Sequence, residues 1–246
     1  RHIFSATIPT CISYDPTYAY EVAVIVREGL ARMYERGEDV FYYLTVLNEN
    51  YEHPAMPEGA EEGIIKGMYL LKKAPDATPK DKKVQLLGSG AILREVIEGA
   101  RLLERDYGVQ ADIWSVTSFT ELKRDADACE RHNMLKPLDD KRVSYVETQL
   151  ASRGGGPVIA STDYIRMFAD QIRPFVPGRY TVLGTDGYGR SDYRRKLRSF
   201  FEVDRHHVAV AALKSLADEQ LLPAKVVADA IERYGIDPDK PDPMRV

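Results

Sequence analysis

The first part of the chain alternates between amphipathic and continuously apolar segments. Apolar residues recur at three- and four-residue spacing over residues 17–36, which predicts a helix. Residues 40–47 are a run of β-branched and aromatic residues, which predicts a strand buried on both faces. Residues 1–17 contain prolines that favour loop or extended chain, and residues 59–72 predict a short helix weakened by glycine. Residues 73–83, rich in proline and lysine, predict a linker.

After residue 83 the pattern becomes a regular alternation of strands and helices. Short apolar runs predict strands at residues 84–87, 109–116, 157–161 and 180–183. Amphipathic or well-capped segments predict helices at residues 91–106, 119–131, 191–201, 204–220 and 223–234. This alternation is typical of an α/β layer sandwich with a mainly parallel sheet.

Composition limits the classes of function. With 246 residues the chain has room for one to two domains and a sizeable core. No segment reaches the roughly 20 apolar residues that a membrane-spanning helix needs. A net charge of -4 argues against a general binder of nucleic acids or anionic membranes.

The ends and the cysteines add two expectations. Cys11 and Cys129 lie too far apart in sequence to indicate a disulfide framework or a metal-ligand set, and they suit a reducing compartment such as the cytoplasm. The chain starts at Arg1 without Met or a signal-peptide pattern, so we expect a piece of a longer protein with only part of its active site.

Two glycine-rich turns follow predicted strands. The turn at residues 184–189 precedes a predicted helix, a position where backbone N–H groups can hold a phosphate. Its spacing is Gly-x-x-Gly-x-Gly, which differs from the dinucleotide-binding pattern and favours a plain tight turn. Residues 88–90, Gly-Ser-Gly, are too short to be specific, and close packing is the favoured interpretation.

A basic cluster stands out in this acidic chain. It consists of Arg190, Arg194, Arg195, Lys196 and Arg198. On a helix, positions 190, 194 and 198 share one face. A solvated helix face is the simpler interpretation, and a docking patch for an acidic partner or a phosphate is the functional one.

The histidines give one candidate for catalysis. No pair among the five has zinc-ligand spacing, so a metal site is not expected. His2 precedes a proline-containing loop, and loops often carry function. The sequence contains no Gly-x-Ser-x-Gly, so a serine hydrolase of that type is not expected.

Several long segments together resemble the decarboxylating component of bacterial homodimeric pyruvate dehydrogenases, in the transketolase-like superfamily. The first three are Ala6–Pro16 (ATIPTCISYDP), Leu47–Tyr51 (LNENY) and Pro54–Gly59 (PAMPEG). The others are Gln85–Gly90 (QLLGSG), Ser115–Leu122 (SVTSFTEL) and Leu183–Asp192 (LGTDGYGRSD). The resemblance extends over essentially the whole chain.

This resemblance implies a fold, an activity and partners. Residues 1–72 would be the last part of the pyrimidine-binding α/β domain, residues 73–83 a linker, and residues 84–246 a transketolase C-terminal-type three-layer α/β/α sandwich. The intact enzyme would be a homodimer that decarboxylates pyruvate on thiamine diphosphate and Mg2+ and passes the acetyl unit to the lipoyl group of the acetyltransferase component. His2 lies near the position of a family histidine that faces the reacting group.

The sequence also departs from the family pattern. The diphosphate-binding signature, Gly-Asp-Gly followed by Asn, is absent: the Asp-Gly at residues 186–187 follows Thr185, and no Asn lies beyond Asn133. We therefore expect this chain alone to be inactive, to bind no cofactor tightly, and to serve mainly dimerisation and docking through the basic cluster. Two alternatives stay open: a non-catalytic interaction or regulatory α/β domain, and another thiamine-diphosphate enzyme of transketolase type.

Overall fold

The first part of the molecule is a small parallel β-sheet with helices beside it. The computed structural model describes residues 2–246. In chain order this part contains α1 (His2–Ala6), β1 (Cys11–Tyr14), α2 (Ala19–Leu30), β2 (Phe41–Leu44) and α3 (Ala60–Lys66). Strands β1 and β2 pair in parallel, with Cys11 opposite Phe41 and Tyr14 opposite Leu44. Side chains such as Ile12, Ile25 and Ile64 bury their apolar surface between this sheet and α2 and α3.

The second part is built on a five-stranded sheet. Its strands are β3 (Met68–Lys72), β4 (Lys83–Gly88), β5 (Gln110–Val116), β6 (Val158–Ser161) and β7 (Tyr180–Leu183). Their order across the sheet is β3-β5-β4-β6-β7, and only β3 among these strands runs antiparallel to its neighbour. The helices are α4 (Leu93–Tyr107), α5 (Phe119–Leu135), α6 (Tyr145–Ala151), α7 (Arg166–Asp170), α8 (Arg194–Phe200), α9 (Arg205–Asp218) and α10 (Ala224–Arg233).

The central strands are buried on both faces by two separate cores. Along β4, Leu86 packs into the core formed with α4, α9 and α10, while its neighbour Leu87 packs into the core formed with α5 and α7. Ile113 and Trp114 of β5 divide in the same way, since successive side chains of a strand point to opposite faces. The predicted three-layer α/β/α sandwich with a mainly parallel sheet is confirmed.

The sequence prediction is wrong for residues 59–72, which are not one helix. Helix α3 ends at Lys66, and Gly67, with a φ of 108°, turns the chain into β3. The prediction also missed α1 and α6 and did not identify β1 as a strand. The run at residues 40–47 forms a half-buried rather than a fully buried strand. Because β3 pairs with β5, residues 68–72 lie in the second sheet although the sequence placed them before the linker.

Candidate functional site

The carboxyl ends of β1 and β2 bring three polar side chains together at the seam between the two sheets. Asp15 and Thr45 are the first residues beyond these two parallel strands, so the register of the sheet places them side by side. The Thr45 hydroxyl donates a hydrogen bond to Oδ1 of Asp15 at 2.7 Å. His2 at the start of α1 approaches from the other side, with its Nε2 2.9 Å from Oγ1 of Thr45.

Aromatic rings hold the imidazole of His2 in place. The Phe168 ring of α7 stacks on it with centroids 4.6 Å apart, and Tyr164 packs edge-on at 4.6 Å. Tyr43 of β2 closes a further side at 5.2 Å. His2 is 1% exposed as a result, and both parts of the molecule contribute to its surroundings.

Burial sets the charge state of this cluster. It lowers the pKa of His2 to about 4, so the imidazole is neutral near pH 7. Burial also raises the pKa of Asp15 to about 7, against the hydrogen bond from Thr45 that lowers it. Two atoms of the cluster, Nδ1 of His2 and Oδ2 of Asp15, are buried without a hydrogen-bond partner among the described residues.

The Gly-Ser-Gly turn at residues 88–90 packs against this cluster. The Gly90 amide donates to the backbone oxygen of Asp15 at 3.0 Å. Gly90 has a φ of 50°, and a Cβ added there would lie 2.6 Å from Oδ2 of Asp15. Glycine is therefore required by close approach to the carboxylate.

The basic cluster splits into inward-facing and outward-facing side chains. Arg198 is 11% exposed, and its guanidinium binds Glu49 at 2.5 Å and Glu95 at 3.4 Å. Arg194 donates to Oδ1 of Asn48 at 2.6 Å. These two arginines hold the loop after β2 against the second part of the molecule.

The other three basic side chains do not join that network. The Arg190 guanidinium lies over the Phe200 ring at 5.3 Å from its centroid. Arg195 and Lys196 are exposed, and the Lys196 ammonium lies 5.5 Å from the ring centre of Tyr193. The structure therefore does not gather the five residues on one face.

A cavity of about 270 Å3 lies between the turn at residues 184–189 and α8. Among its lining residues are Asp163, Thr185, Gly187, Arg190, Arg194 and Phe201. Gly187 has a φ of 103° and packs against the Pro243 carbonyl, and α8 begins only at Arg194. The turn is therefore a tight bend and does not form the N-terminus of a helix.

The sequence lacks the Gly-Asp-Gly signature with its following Asn that the family resemblance leads one to expect in a complete thiamine diphosphate site. A diphosphate bound with Mg2+ needs carboxylate or amide oxygens converging on the metal. Residues 2–246 contain no group of three or more His, Cys, Asp and Glu side chains that could hold a metal ion. Over the same residues, no helix is long and apolar enough to cross a membrane.

Two protein-family models match the chain. The model described as transketolase-like TK C-terminal domain matches residues 67–204, more than half of the chain. The model described as pyruvate dehydrogenase E1 component middle domain matches residues 1–54.

Curated relatives match along the chain's length. The chain is 59% identical to the pyruvate dehydrogenase E1 component of Cupriavidus necator over 100% of this chain, and 60% identical to that of Pseudomonas aeruginosa over 99%. It is 58% identical to that of Escherichia coli K12 over 98%. In each case the chain spans 27% of the relative's length.

Solved structures support the fold. Transketolase from Campylobacter jejuni matches 86% of this chain, and 27% of its own, with a TM-score of 0.58 and 16% identity. Transketolase from Pichia stipitis, in complex with a sugar phosphate, matches 86% of this chain and 26% of its own with a TM-score of 0.55 and 17% identity.

Proposed function

The chain belongs to the transketolase-like family, and from that membership we propose that it is part of a pyruvate dehydrogenase (acetyl-transferring). The observation that carries the proposal is the identity of 58–60% to pyruvate dehydrogenase E1 components along 98–100% of the chain. The whole enzyme oxidatively decarboxylates pyruvate and transfers the acetyl unit to the lipoyl group of the acetyltransferase component. The transketolase structures, at 16–17% identity, support the fold alone.

In this proposal the imidazole of His2 contacts the substrate. The imidazole is neutral near pH 7, and its Nδ1 has no hydrogen-bond partner among the described residues. The walls formed by Phe168, Tyr164 and Tyr43 exclude water and keep the ring in one orientation. Thiamine diphosphate with Mg2+ supplies the carbanion chemistry when it is bound in the whole enzyme.

Substituting His2 in the full-length enzyme tests the proposed function. His2→Ala should lower reductive acetylation of the lipoyl group by about 100-fold, the scale of a lost acid–base group. Cofactor affinity, measured by calorimetry, should stay unchanged, because the diphosphate and metal site lies outside these residues. His206→Ala, in α9 and away from the seam, is the matched control. Wild-type activity of His2→Ala would overturn the role.

We further propose that this chain on its own neither turns over pyruvate nor binds thiamine diphosphate tightly. The reason is that the chain lacks the diphosphate-binding signature, since its Asp-Gly at residues 186–187 follows Thr185 and no Asn lies beyond Asn133. Titration calorimetry of the 246-residue chain with cofactor and Mg2+ should give no micromolar binding. Heat of binding at micromolar affinity would contradict the proposal.

The remaining proposals concern assembly. We propose that the intact enzyme is a cytoplasmic homodimer bound to the dihydrolipoyl acetyltransferase component. Arg195 and Lys196 support a docking role because their charges are exposed. Arg190, Arg194 and Arg198 would contribute indirectly, by fixing α8 and its neighbouring loop.

A further inference from the structure

The hydrogen-bonded series Asp15–Thr45–His2 determines which of its side-chain atoms carry a hydrogen. The Thr45 hydroxyl carries one hydrogen and stands 2.7 Å from Asp15 Oδ1 and 2.9 Å from His2 Nε2. An ionised carboxylate can only accept, so the hydroxyl hydrogen points to Asp15. The hydroxyl oxygen is then an acceptor, and it must take its second hydrogen bond from an N–H at His2 Nε2.

We propose that Asp15 is a positioning residue that acts through Thr45 to fix His2 as the Nε2–H tautomer. Nδ1 is then left as a free acceptor. The tautomer assignment follows from these two distances with Asp15 ionised. Its consequence for catalysis rests on the proposed function, in which His2 meets the substrate.

Nδ1 of His2, at the end of this hydrogen-bonded series, indicates which kind of ligand group could bind there. Nδ1 of His2 is buried, yet it has no hydrogen-bond partner among the described residues. An acceptor nitrogen in an aromatic enclosure suits a ligand group that carries a hydrogen, such as a hydroxyl or a protonated carboxyl. The other tautomer would present an N–H there and would leave Thr45 without a donor.

The surroundings of Asp15 keep the carboxylate in place. Thr45 donates to its Oδ1, the Tyr164 hydroxyl lies 3.5 Å from the same oxygen, and the Gly90 amide binds its backbone oxygen. Asp163 and Glu21 are the nearby carboxylates, and both tend to raise the pKa of Asp15. Because that pKa is about 7, the tautomer should be measured at alkaline pH, where Asp15 is ionised.

Nitrogen NMR of the chain labelled with 15N-histidine tests the tautomer directly, because protonated and unprotonated ring nitrogens resonate far apart. The chain contains five histidines, so the spectrum holds signals from all of them. The His2 signals are those that disappear in the His2→Gln variant. The wild type should show a protonated Nε2 and an unprotonated Nδ1. A protonated Nδ1 in the wild type overturns the proposal without any variant.

Variants then separate positioning from simple packing. Thr45→Val removes the acceptor and should produce a mixture of tautomers, whereas Thr45→Ser keeps the hydroxyl and should restore the Nε2–H form. Asp15→Asn should also lower the Nε2–H fraction, since a carboxamide can donate as well as accept. An unchanged tautomer in folded Thr45→Val would contradict the proposal.

Kinetics in the full-length enzyme keep this inference distinct from the proposed function. Asp15→Asn should lower acetyl transfer by about tenfold or more, with little further loss in an enzyme that already carries His2→Ala. An equal loss in both backgrounds would show that Asp15 acts elsewhere and overturn its role through His2. If His2→Ala alone is fully active, the proposed role of His2 fails, while the NMR result still decides the tautomer.

Discussion

Asp15 is a carboxylate that the surrounding structure makes difficult to ionise. Burial raises its pKa from the ordinary 3.8 to about 7, so the folded protein binds this proton more tightly than the unfolded chain does. The stability that the protonated form contributes is complete below about pH 4 and is lost as the pH rises through about 7. Ionised Asp15, needed to orient His2, therefore lowers the stability of the fold.

Asp15→Asn should reverse this loss of stability. Asparagine cannot ionise, so the free energy of unfolding of the variant should rise relative to wild type across that pH window. The expected gain is on the order of 4 kcal/mol, at about 1.4 kcal/mol per pKa unit. Urea denaturation on both sides of the window measures the difference, with exposed Asp140→Asn as control. His2 titrates in both proteins, so its contribution cancels when the two are compared. A difference in the free energy of unfolding that stays constant across the window would contradict the prediction.

At this scale the sequence indicated only part of the site. His2 was reached through family resemblance, while Asp15 and Thr45 were not singled out. They become neighbours because β1 and β2 pair in register. Strand β1 is only four residues long, and its segment was predicted as loop or extended chain without a strand. Contacts between residues 30 positions apart depend on strand pairing, which local periodicity does not encode.

Helices with a strong periodic pattern were predicted close to their observed bounds, as α4 and α10 show. The prediction of one helix over residues 59–72 was wrong because the apolar positions beyond Gly67 continue a helix-like spacing. What makes residues 68–72 a strand is pairing with β5 across the sheet. The left-handed Gly67 between them is the local feature that could have indicated a break.

Gly67→Ala should therefore destabilise the fold strongly. Its φ of 108° disfavours any side chain, and an added Cβ would lie 2.5 Å from the carbonyl oxygen of Ser118. That oxygen is fixed, because the backbone amides of Thr117 and Ser118 bind the Gly67 carbonyl. We expect the free energy of unfolding to fall by more than about 2 kcal/mol. The left-handed conformation alone costs a residue with a side chain roughly 1–2 kcal/mol, and the contact with Ser118 adds to that cost.

Gly59→Ala is the matched control for Gly67→Ala. Gly59 is also left-handed, with a φ of 75°, but nothing lies within 4 Å of its added Cβ. The free energy of unfolding of Gly59→Ala should fall by only about 1–2 kcal/mol, which is the conformational cost alone. Chemical denaturation of the two variants measures the difference, and equal losses would show that the contact with Ser118 does not matter.

For the whole molecule, the seam between the two sheets is held by ion pairs as well as by the buried His2 cluster. Glu49, in the loop after β2, receives Arg94 at 2.8 Å and Arg198 at 2.5 Å. Arg198 also reaches Glu95 of α4, so the loop, α4 and α8 form one network. The sequence showed the five basic residues as one patch because helical spacing says nothing about carboxylates contributed by a distant loop.

The exposed charges of α8 provide the test of docking to the acetyltransferase component. Arg195→Glu with Lys196→Glu, in the full-length enzyme, should weaken binding to the acetyltransferase core about tenfold, as expected for two surface pairs of up to about 1 kcal/mol each. The loss should shrink at high salt, since exposed charges are screened. Lys136→Glu with Lys141→Glu changes the net charge equally on the loop after α5 and is the control. Because Arg195 and Lys196 lie outside the Glu49 network, weakened binding would report on docking rather than on a disturbed seam. Equal recovery of both double variants on the core at low salt would remove the docking role of α8.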